Sequence, residues 1–526
     1  MNRFLLIVVV LSFISTVSAA SIADHYDIET IPLPMGLDPQ VGGLSVSPTG
    51  TLFACFHRGE VFTYNAEHKH WHQFAFGLHE PLGIIAVSDR EILVMQRPEL
   101  TRLIDSDGDG AADVFETVTD GFGISGNYHE FAFGPVKDKN GDLFIGLNVA
   151  SNGDTIHSEI RGEFRHFNVE QKDMTSNWKT AKGKVGRMYS VVPYRGWVMK
   201  VDGKTGAITP WASGLRSPNS LGFDADGNLF VCDNQGDWLG SSKLFTIEKD
   251  KFYGHPASLV WRKDWKSGHP LNVPVAEIDK LRTRETMFFP QSIMANSPTQ
   301  PLLDTTNGKF GPYANQLFVG EMNISRLMRL LPENVAGSWQ GACLPFMDKN
   351  GLSNGNNRLA FNPKDGSLYI GHTHLSWAGG EGIQRLRWKG TMPMDIHGMT
   401  LTKNGFDIRF TKPLAADTAA TSFEFKRYFY EYHEAYGAKQ DDIAKPNITA
   451  FTLSADKATI SLTLDDLKPG YVYELNLKNI KAADGSEVIN TLVCYTINRL
   501  RDGTPAPPQF GTGQGAPTKK EKEKEE

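Results

Sequence analysis

Hydrophobic and polar residues alternate along most of this chain, in a phrase that recurs at irregular intervals. Each copy is an alternating apolar run, a turn that often contains Gly, and then Leu or Ile followed by further apolar residues. A period of two residues on both sides of a tight turn predicts a β-hairpin. The copies are GLSVSPTGTLFACF from Gly43, GIIAVSDREILVMQ from Gly83, EFAFGPVKDKNGDLFIGL from Glu130, SLGFDADGNLFVCD from Ser220, PYANQLFVGEM from Pro312 and RLAFNPKDGSLYIGH from Arg358.

These hairpins predict an all-β fold, a six-bladed β-propeller over residues 30–390. Sheets that recur around a ring bury their faces against one another and leave only short edges. Two copies lack the turn Gly, which leaves the count open by one blade. The insertion from Asn152 to Pro193 has no clear periodicity and indicates a functional loop. A propeller gathers such loops around one central mouth, where a site is expected.

Alternation of a different kind follows the last copy. Runs such as GFDIRFTKPL, ATISLTLDDL and YVYELNLKNI predict a separate Ig-like β-sandwich over residues 391–500. We expect it to dock the propeller to a partner, a polymer or the cell surface. The aromatic run FEFKRYFYEYHEAYG from Phe423 is interpreted as core and inter-domain packing rather than ligand binding. Residues 501–526 are rich in Pro and Gly and then charged, which predicts a disordered tail.

The first residues are typical of an export signal. A basic start at Arg3 is followed by an apolar run and by Ser18-Ala19-Ala20, which predicts a signal peptide over residues 1–20. A retained anchor helix is the alternative, and the short run does not favour it. No Cys stands at the exit to take a lipid, and no later segment is long and apolar enough to be a transmembrane helix. We therefore expect a periplasmic or extracellular protein.

Composition narrows the possible partners. A formal net charge of −6 leaves no basic face, so nucleic acid is not expected as a partner. The four cysteines are few and scattered, and they form neither a disulfide framework nor a C-x-x-C metal or C-x-x-C-H haem motif. Cys55 and Cys232 occupy apolar strand positions and are predicted to be buried thiols.

One segment satisfies the calcium-loop pattern D-x-D-x-D-G-x5-E. Alternate hard oxygens, a Gly at the bend and a closing Glu are what Ca²⁺ requires. The preceding LTRLI reads as a strand, so we expect a structural ion that ties down a blade loop rather than an EF-hand sensor. The alternative is an acidic surface turn. The predicted metal residues are Asp105, Asp107, Asp109, Ala111, Asp113 and Glu116.

Two loops carry candidate site chemistry. His129 lies in a Gly-Asn-Tyr-His-Glu segment just before the third copy, and an imidazole at a cavity is suited to general-base catalysis. A histidine held by local hydrogen bonds is an equal alternative. Arg216 leads into the fourth copy and is able to clamp a carboxylate with two parallel hydrogen bonds. The commoner role for such an Arg is packing between blades.

At these residues the chain resembles the soluble glucose/sorbosone dehydrogenase family, whose members are six-bladed propellers that use pyrroloquinoline quinone (PQQ). The resemblance covers residues 40–390 and rests on the His-bearing loop before F-G-P, on G-L-R-x-P and on the following Q-G. The segments YHEFAFGP, PYRGWVMKV, GLRSPNSLGF, DNQGDWLGSSKL and FYGHPASLVW are similar to a membrane-bound dehydrogenase group of planctomycetes and verrucomicrobia.

The resemblance implies a quinone- and Ca²⁺-dependent oxidation of an aldose or related sugar or polyol. It implies that His129 is the general base and that Arg216 stabilises the quinone. It makes Gln235 and Gly236 the segment whose carbonyls hold the cofactor's Ca²⁺, and Arg358 a partner of cofactor carboxylates. A separate cytochrome or quinone is the implied electron acceptor, since the chain has no haem motif.

Three departures from the family's pattern bear on cofactor binding. Ser217 stands where the family has Asn beside the mouth arginine. Asp237 stands where Pro follows the Q-G pair. The Lys of the fifth blade is not found in FVGEMNISRLMRL, where Met322 and Asn323 stand instead.

Two other classes of function stay open. One is a Ca²⁺-stabilised, non-catalytic carbohydrate-binding propeller, and the other is a metal-dependent lactonase. Convergence of Arg216 and Arg358 on His129 would favour the oxidoreductase, and their dispersal into blade interfaces would favour the binding propeller. A cluster of carboxylate and amide oxygens at the axis would favour the lactonase. The lactonase candidates are Glu80, Asn148, Asn219 and Asp233, and the aromatic residues expected near the mouth in either case are Tyr128, Trp197, Trp238 and Trp377.

Overall fold

Strands dominate the computed structural model, which describes residues 21–374 and 379–511. The predicted signal peptide, Trp377 and residues 512–526 lie outside the described residues. No described helix is both long enough and apolar enough to cross a membrane. The all-β prediction is confirmed. The described helical segments are the α-helices Gln171–Ser176, Trp178–Ala181 and Val275–Asp279, and the 3-10 helices Ile22–Asp24, Pro256–Trp261, Pro270–Asn272 and Ala420–Ser422.

Successive groups of four antiparallel strands, here numbered sheets 1 to 6, follow one another along the chain. In each group neighbouring strands pair with their successors, as the recurrent hairpin phrase predicts. Sheet 1 is Val41–Val46, Leu52–Phe56, Val61–Asn65 and His70–Ala75; sheet 2 is Gly83–Ala86, Glu91–Met95, Leu100–Ile104 and Val114–Thr119; sheet 3 is Ala132–Lys137, Leu143–Leu147, Trp197–Val201 and Ile208–Ser213. Sheet 4 is Pro218–Phe223, Leu229–Asp233, Ser242–Ile247 and Met287–Phe289; sheet 5 begins with Leu302–Leu303, Leu317–Glu321, Arg326–Val335 and Ser338–Asp348; sheet 6 is Asn356–Phe361, Leu368–His372, Gly382–Trp388 and Tyr26–Ile31.

The amino-terminal strand of the described chain closes sheet 6. Tyr26–Ile31 pairs in antiparallel register with Gly382–Trp388, with Tyr26 opposite Trp388 and Ile31 opposite Ile383. The innermost strands of successive sheets also lie against one another. A Cβ added to Gly42 would lie 1.9 Å from the Pro81 carbonyl oxygen, and one added to Gly83 would lie 1.7 Å from that of Gly134. Only glycine allows so close an approach of backbones. The arrangement is of propeller type.

The carboxyl-terminal strands form two layers over one apolar core. The first layer, sheet 7, is an independent four-stranded sheet. The second layer continues sheet 5, because Leu492–Ile497 pairs in antiparallel register with Ser338–Asp348, with the free thiol residues Cys494 and Cys343 opposite each other. The sequence predicts a separate body here, and the structure instead joins it to the propeller through an eight-stranded sheet. Alternation predicts the strands but does not identify their pairing partners. Sheet 7 is Ile396–Leu401, Gly405–Phe410, Thr459–Leu464 and Ile448–Leu453, and the second layer is Phe423–Phe429, Asp441–Ala444, Tyr471–Leu477 and Leu492–Ile497.

The insertion between the second and third strands of sheet 3 folds on its own small core. Met174, Val185 and Tyr189 are buried there, and Ala150–Ser151 pairs with Met188–Tyr189. The short pair places the carboxyl-terminal end of the insertion at the mouth of the ring.

Residues 501–511 are held against the second layer, which differs from the predicted disorder. The Tyr432 amide donates to the Gln509 carbonyl over 2.8 Å, and the Ala506 amide donates to the Asn498 carbonyl over 2.8 Å. Arg284 Nη1 donates to Gln509 Oε1 over 3.1 Å. Composition alone does not predict order that depends on such distant partners.

Candidate active site at the mouth of the ring

Two adjoining cavities occupy the mouth. The outer chamber has a volume of about 420 Å³ and a largely polar lining, and the inner chamber has a volume of about 70 Å³ and a more apolar lining. His129, Ser217 and Asn234 line both chambers and therefore stand at the boundary. The outer chamber is defined here by Tyr128, Ser151, Arg187, Arg216, Gln235, Gln291 and Tyr436, and the inner chamber by Leu82, Phe131, Phe133, Asn148, Asn219 and Met322.

His129 is a buried, neutral imidazole with a fixed orientation. Its Nδ1 lies 2.7 Å from the Val149 carbonyl oxygen, which accepts a hydrogen bond, so Nδ1 carries the proton. Nε2 therefore keeps its lone pair as a hydrogen-bond acceptor. Burial, reinforced by the positive charge of Arg216, lowers the pKa of His129 to about 3. This combination of tautomer and charge state is the one that a proton acceptor needs.

Asn127, which is not among the residues predicted from the sequence, fixes the loop that carries His129. Its Oδ1 accepts hydrogen bonds from the amides of His129 at 3.1 Å and Ser151 at 3.0 Å. Its Nδ2 donates to the Ser151 carbonyl over 2.9 Å. An Asn two residues before a candidate His is an available sequence signal, because Asn side chains bond to backbone amides two residues on.

Arg216 lines the outer chamber, but its charge is matched. Nε donates to Asp237 Oδ1 over 3.0 Å, and both side chains are more than nine-tenths buried. Asp237 Oδ2 also lies 3.4 Å from His255 Nε2. Burial alone would raise the pKa of Asp237, yet the bond from His255 and the charge of Arg216 outweigh it and hold that pKa well below its usual range. Asp237 is thus a permanent anion beneath Arg216.

Asp233 anchors the backbone of the same loop. Its two carboxylate oxygens accept hydrogen bonds from the amides of Arg216 and Ser217, both over 2.8 Å. Ser217 Oγ in turn accepts from Asn148 Nδ2 over 3.1 Å. Asp233 therefore fixes the backbone of the loop that carries Arg216 and Ser217.

One of the two carbonyls expected to hold calcium at the Gln235-Gly236 segment already accepts a hydrogen bond within the protein. The Gly236 carbonyl accepts a hydrogen bond from the Gly437 amide over 3.1 Å and is therefore engaged. A Cβ on Gly236 would lie 1.9 Å from Arg216 Nε, so the glycine makes room for the guanidinium. The Gln235 side chain lines the outer chamber and donates from Nε2 to the Gly240 carbonyl over 3.1 Å.

Arg358, expected to pair with cofactor carboxylates, lies behind the inner chamber. Its guanidinium donates to the Gly42 carbonyl at 3.0 Å, to the Leu82 carbonyl at 3.1 Å and to Asn219 Oδ1 at 3.1 Å, and it is 1% exposed. It also bonds both oxygens of Asn357. Because sheet 1, the loop before sheet 2 and sheet 4 all supply acceptors, Arg358 ties the ring together across its axis.

Other expected site residues are dispersed. Glu80 pairs with Arg97 and lies near His57, so it does not join Asp233. Trp197 is 7% exposed and donates to the Ser258 carbonyl, and Trp238 is 3% exposed against Tyr432. Tyr128, at 49% exposure, does face the outer chamber.

The fifth sheet supplies amide and thioether groups to the mouth. Met322 lines the inner chamber, where Asn219 Nδ2 approaches its sulfur to 3.4 Å, and Asn323 lines the outer one. No Lys is among the residues that line either chamber within the described part of the chain.

Arg187 is not among the residues singled out from the sequence, and Tyr436 belongs to the aromatic run from Phe423 that was interpreted as packing rather than ligand binding. Arg187 lies in the insertion of sheet 3, just before Met188–Tyr189, and Tyr436 belongs to the loop between two strands of the carboxyl-terminal second layer. Tyr436 forms a β-bridge with Asp237, which brings its ring to the outer chamber. No local pattern predicts that a residue so far along the chain reaches the mouth.

The predicted calcium loop lies apart from both chambers, between the third and fourth strands of sheet 2. Carboxylate oxygens of Asp105, Asp107 and Asp109 lie within 4.8 Å of one another. Asp113 accepts a hydrogen bond from the Ser106 amide over 2.8 Å. Glu116, the expected closing ligand, is instead on a strand, where it accepts from Arg102 Nη1 over 2.9 Å. The structure therefore groups three of the expected ligands and directs Glu116 away.

Comparison with known proteins gives a likeness in structure alone. No protein-family model matches the chain, and no curated protein matches it. A PQQ-bound aldose sugar dehydrogenase of Streptomyces coelicolor aligns with a TM-score of 0.43 and 14% identity over 69% of this chain and 98% of that one. The PQQ domain of a pyranose dehydrogenase of Coprinopsis cinerea aligns with a TM-score of 0.45 and 13% identity over 69% and 95%. A luciferin-regenerating enzyme aligns with a TM-score of 0.42 and 12% identity over 69% and 96%. These scores are low and the three proteins differ in activity, so the likeness assigns no activity to this chain.

Proposed function

We propose that this chain is an exported oxidoreductase that oxidises a hydroxyl group of an aldose or related sugar or polyol, with PQQ as hydride acceptor. The observation that carries the proposal is the neutral imidazole of His129, whose Nδ1 bonds to the Val149 carbonyl at the boundary of the two chambers. We further propose a six-bladed β-propeller over residues 30–390 and an Ig-like sandwich over 391–500 as its architecture.

The chemistry assigned to the chain is proton removal. Nε2 of His129 would accept the hydroxyl proton of the sugar as the adjoining carbon gives up its hydride, and imidazolium would form. The Val149 carbonyl holds the ring in the tautomer that makes this possible. General-base catalysis of this kind contributes about 10² to 10⁴ in rate.

The residues of the outer chamber suit one end of an anionic quinone. Two guanidinium groups, Arg187 and Arg216, line it with the side-chain amide of Gln235, and these are the donors that carboxylate and carbonyl oxygens require. When bound, the quinone supplies the two-electron acceptor that no side chain provides. Ser217 would contact the same group. A calcium ion at the Gln235-Gly236 segment stays part of the proposal, and the Gly236 carbonyl would offer it the lone pair that the Gly437 amide does not use.

Binding of an anion would also improve the base. The cation of Arg216 is the second cause that depresses the pKa of His129, after burial. An anionic ligand beside Arg216 would offset that charge, so the pKa of His129 would rise toward the value at which a general base works best. Cofactor binding and base strength are thereby coupled.

Several expectations from the sequence remain part of the proposal. A structural Ca²⁺ would bind at Asp105, Asp107 and Asp109, whose grouped carboxylates are suited to it. The electrons would leave to a separate cytochrome or quinone. The amino-terminal segment would direct export to the periplasm or the cell exterior.

Two observations favour a second function, a non-catalytic carbohydrate-binding propeller. Arg358 bonds acceptors on other sheets instead of joining Arg216 at the mouth. The charge of Arg216 is already matched by Asp237, so the chamber is less cationic than its arginines alone suggest. Exposed Tyr128 could stack on a sugar ring in either case.

A titration separates the two functions. The mature protein would be titrated with PQQ, with and without Ca²⁺, while cofactor absorbance is followed. Saturable binding that Arg216→Ala weakens and His129→Ala retains supports the oxidoreductase. If the parent protein binds no quinone but binds neutral sugars, the result supports the non-catalytic carbohydrate-binding propeller and contradicts the oxidoreductase.

A further inference from the structure

We propose that Arg187 and Tyr436 form a carboxylate-binding subsite in the outer wall of the outer chamber. The ligand that occupies this chamber would therefore carry a carboxylate group. The inference rests on the proposed function and specifies its ligand. The carboxylate could belong to the quinone cofactor or to an acidic sugar such as a uronate, and the experiment below distinguishes these sources.

Arg187 is a cation without an anion. Its guanidinium lies 4.4 Å from the centre of the Tyr436 ring and is exposed to the chamber. Within residues 21–374 and 379–511 no carboxylate forms an ion pair with it. Arg216, 5.7 Å from the centre of the same ring, has Asp237 as its partner. One uncompensated positive charge therefore faces the chamber, and a ligand carboxylate would neutralise it.

Tyr436 keeps this cation in place. A cation is attracted to an aromatic face, so the ring positions the guanidinium without neutralising its charge. The ring itself is held from the carboxyl-terminal strands: the Gly437 amide donates to the Gly236 carbonyl over 3.1 Å, and the Ala438 amide donates to the Gly240 carbonyl over 2.7 Å. Tyr436 is thus a positioning residue, supplied by a part of the chain outside the ring.

A second observation indicates that the ligand also carries a hydrogen-bond donor. Asn234 lines both chambers and is 8% exposed, yet its Oδ1 has no hydrogen-bond partner within the described part of the chain. A buried acceptor without a hydrogen-bond partner is unfavourable, and a ligand hydroxyl would supply the missing donor. A ligand with a carboxylate near Arg187 and a hydroxyl near Asn234 would be a hydroxylated acid. Alternatively, the carboxylate would belong to the quinone and the hydroxyl to a sugar bound beside it.

The test uses the mature full-length chain and three probes: PQQ, D-galacturonate and neutral D-galactose. Arg187→Gln is expected to weaken binding of at least one carboxylate probe tenfold or more while leaving galactose binding within twofold. A loss confined to PQQ assigns the carboxylate to the cofactor, and a loss confined to galacturonate assigns it to the substrate. Arg387→Gln, an exposed arginine on sheet 6, is the matched control and should change none of the three.

Tyr436 variants separate positioning from general damage to the fold. Tyr436→Leu should reproduce the selective loss of carboxylate binding, and Tyr436→Phe, which keeps the aromatic face, should restore it. The inference is overturned if Arg187→Gln binds both acidic probes like the parent, or if the parent binds neither. Failure of the proposed function looks different: galacturonate would bind in an Arg187-dependent way while PQQ does not bind at all.

Discussion

Arg216 Nε lies 3.0 Å from Asp237 Oδ1, in a buried ion pair beneath the outer chamber. Both side chains of the pair are more than nine-tenths buried. It holds the guanidinium at the chamber wall and reduces its net charge. Any ligand of Arg216 must therefore share the cation with Asp237.

Asp237→Asn tests that competition. Removal of the buried carboxylate should lower the free energy of unfolding by about 3 kcal/mol, because Arg216 is left uncompensated. Affinity for PQQ should rise, since the whole charge of Arg216 becomes available to it. Urea unfolding and quinone titration measure the two effects. The exposed pair of Arg262 and Asp264 provides the control, and Asp264→Asn should change stability by less than about 0.5 kcal/mol. Weaker quinone binding in Asp237→Asn would show that Asp237 orients Arg216 rather than competes for it.

Arg358→Met tests the role of the axial arginine. Loss of its bonds to Gly42, Leu82 and Asn219 leaves several buried acceptors unpaired, so the free energy of unfolding should fall by about 3 to 5 kcal/mol. Quinone affinity of the protein that remains folded should stay within twofold of the parent. A variant of normal stability that no longer binds quinone would instead show that Arg358 binds the cofactor.

The histidines predict loss of stability in acid. Burial lowers the pKa of His129 to about 3 and that of His372 to about 4, whereas both are near 6.5 in the unfolded chain. Below pH 6.5 the unfolded chain binds protons that the folded protein does not, so stability is present above pH 6.5 and falls progressively toward pH 4. Each such residue contributes a slope of up to about 1.4 kcal/mol per pH unit. Denaturant unfolding at several pH values should show a shallower slope for His129→Asn. An unchanged slope would mean that His129 titrates normally in the folded protein.

Glu116, which lies apart from the three grouped aspartates, provides a test of the calcium loop. Ca²⁺ should raise the unfolding temperature of the parent, because an ion that binds only the folded state stabilises it. Asp105→Asn should abolish the increase, and Glu116→Gln should keep it, since Glu116 pairs with Arg102 rather than with the three aspartates. Scanning calorimetry with and without a chelator measures both. A parent insensitive to Ca²⁺ would leave the segment an acidic turn.

The sequence predicted features that depend on neighbours along the chain. The hairpins around Gly43 and Gly83 were recognisable because alternation and turn chemistry are local. The His129 loop and the G-L-R segment were recognisable for the same reason.

Features that depend on distant contacts were not predicted. The sequence predicts that Arg358 faces the mouth and binds the cofactor. Only closure of the ring brings together the Gly42 and Leu82 carbonyls that it actually bonds. Tyr436 reaches the chamber because the second layer is attached to sheet 5, where Cys494 lies opposite Cys343 in neighbouring strands. No local pattern encodes that strand register. The Gly437 amide that engages the Gly236 carbonyl arrives by the same route.

The most direct test of the central claim is a single-turnover measurement on quinone-loaded protein. Under anaerobic conditions, parent and His129→Asn would each be mixed with an aldose, a polyol and a uronate while quinone absorbance is followed. We expect the parent to reduce its quinone with at least one of these substrates, and His129→Asn to bind the quinone equally well but reduce it about 10² to 10⁴ times more slowly. Reduction by His129→Asn at the parental rate, or a loaded parent that no substrate reduces, would contradict the proposal.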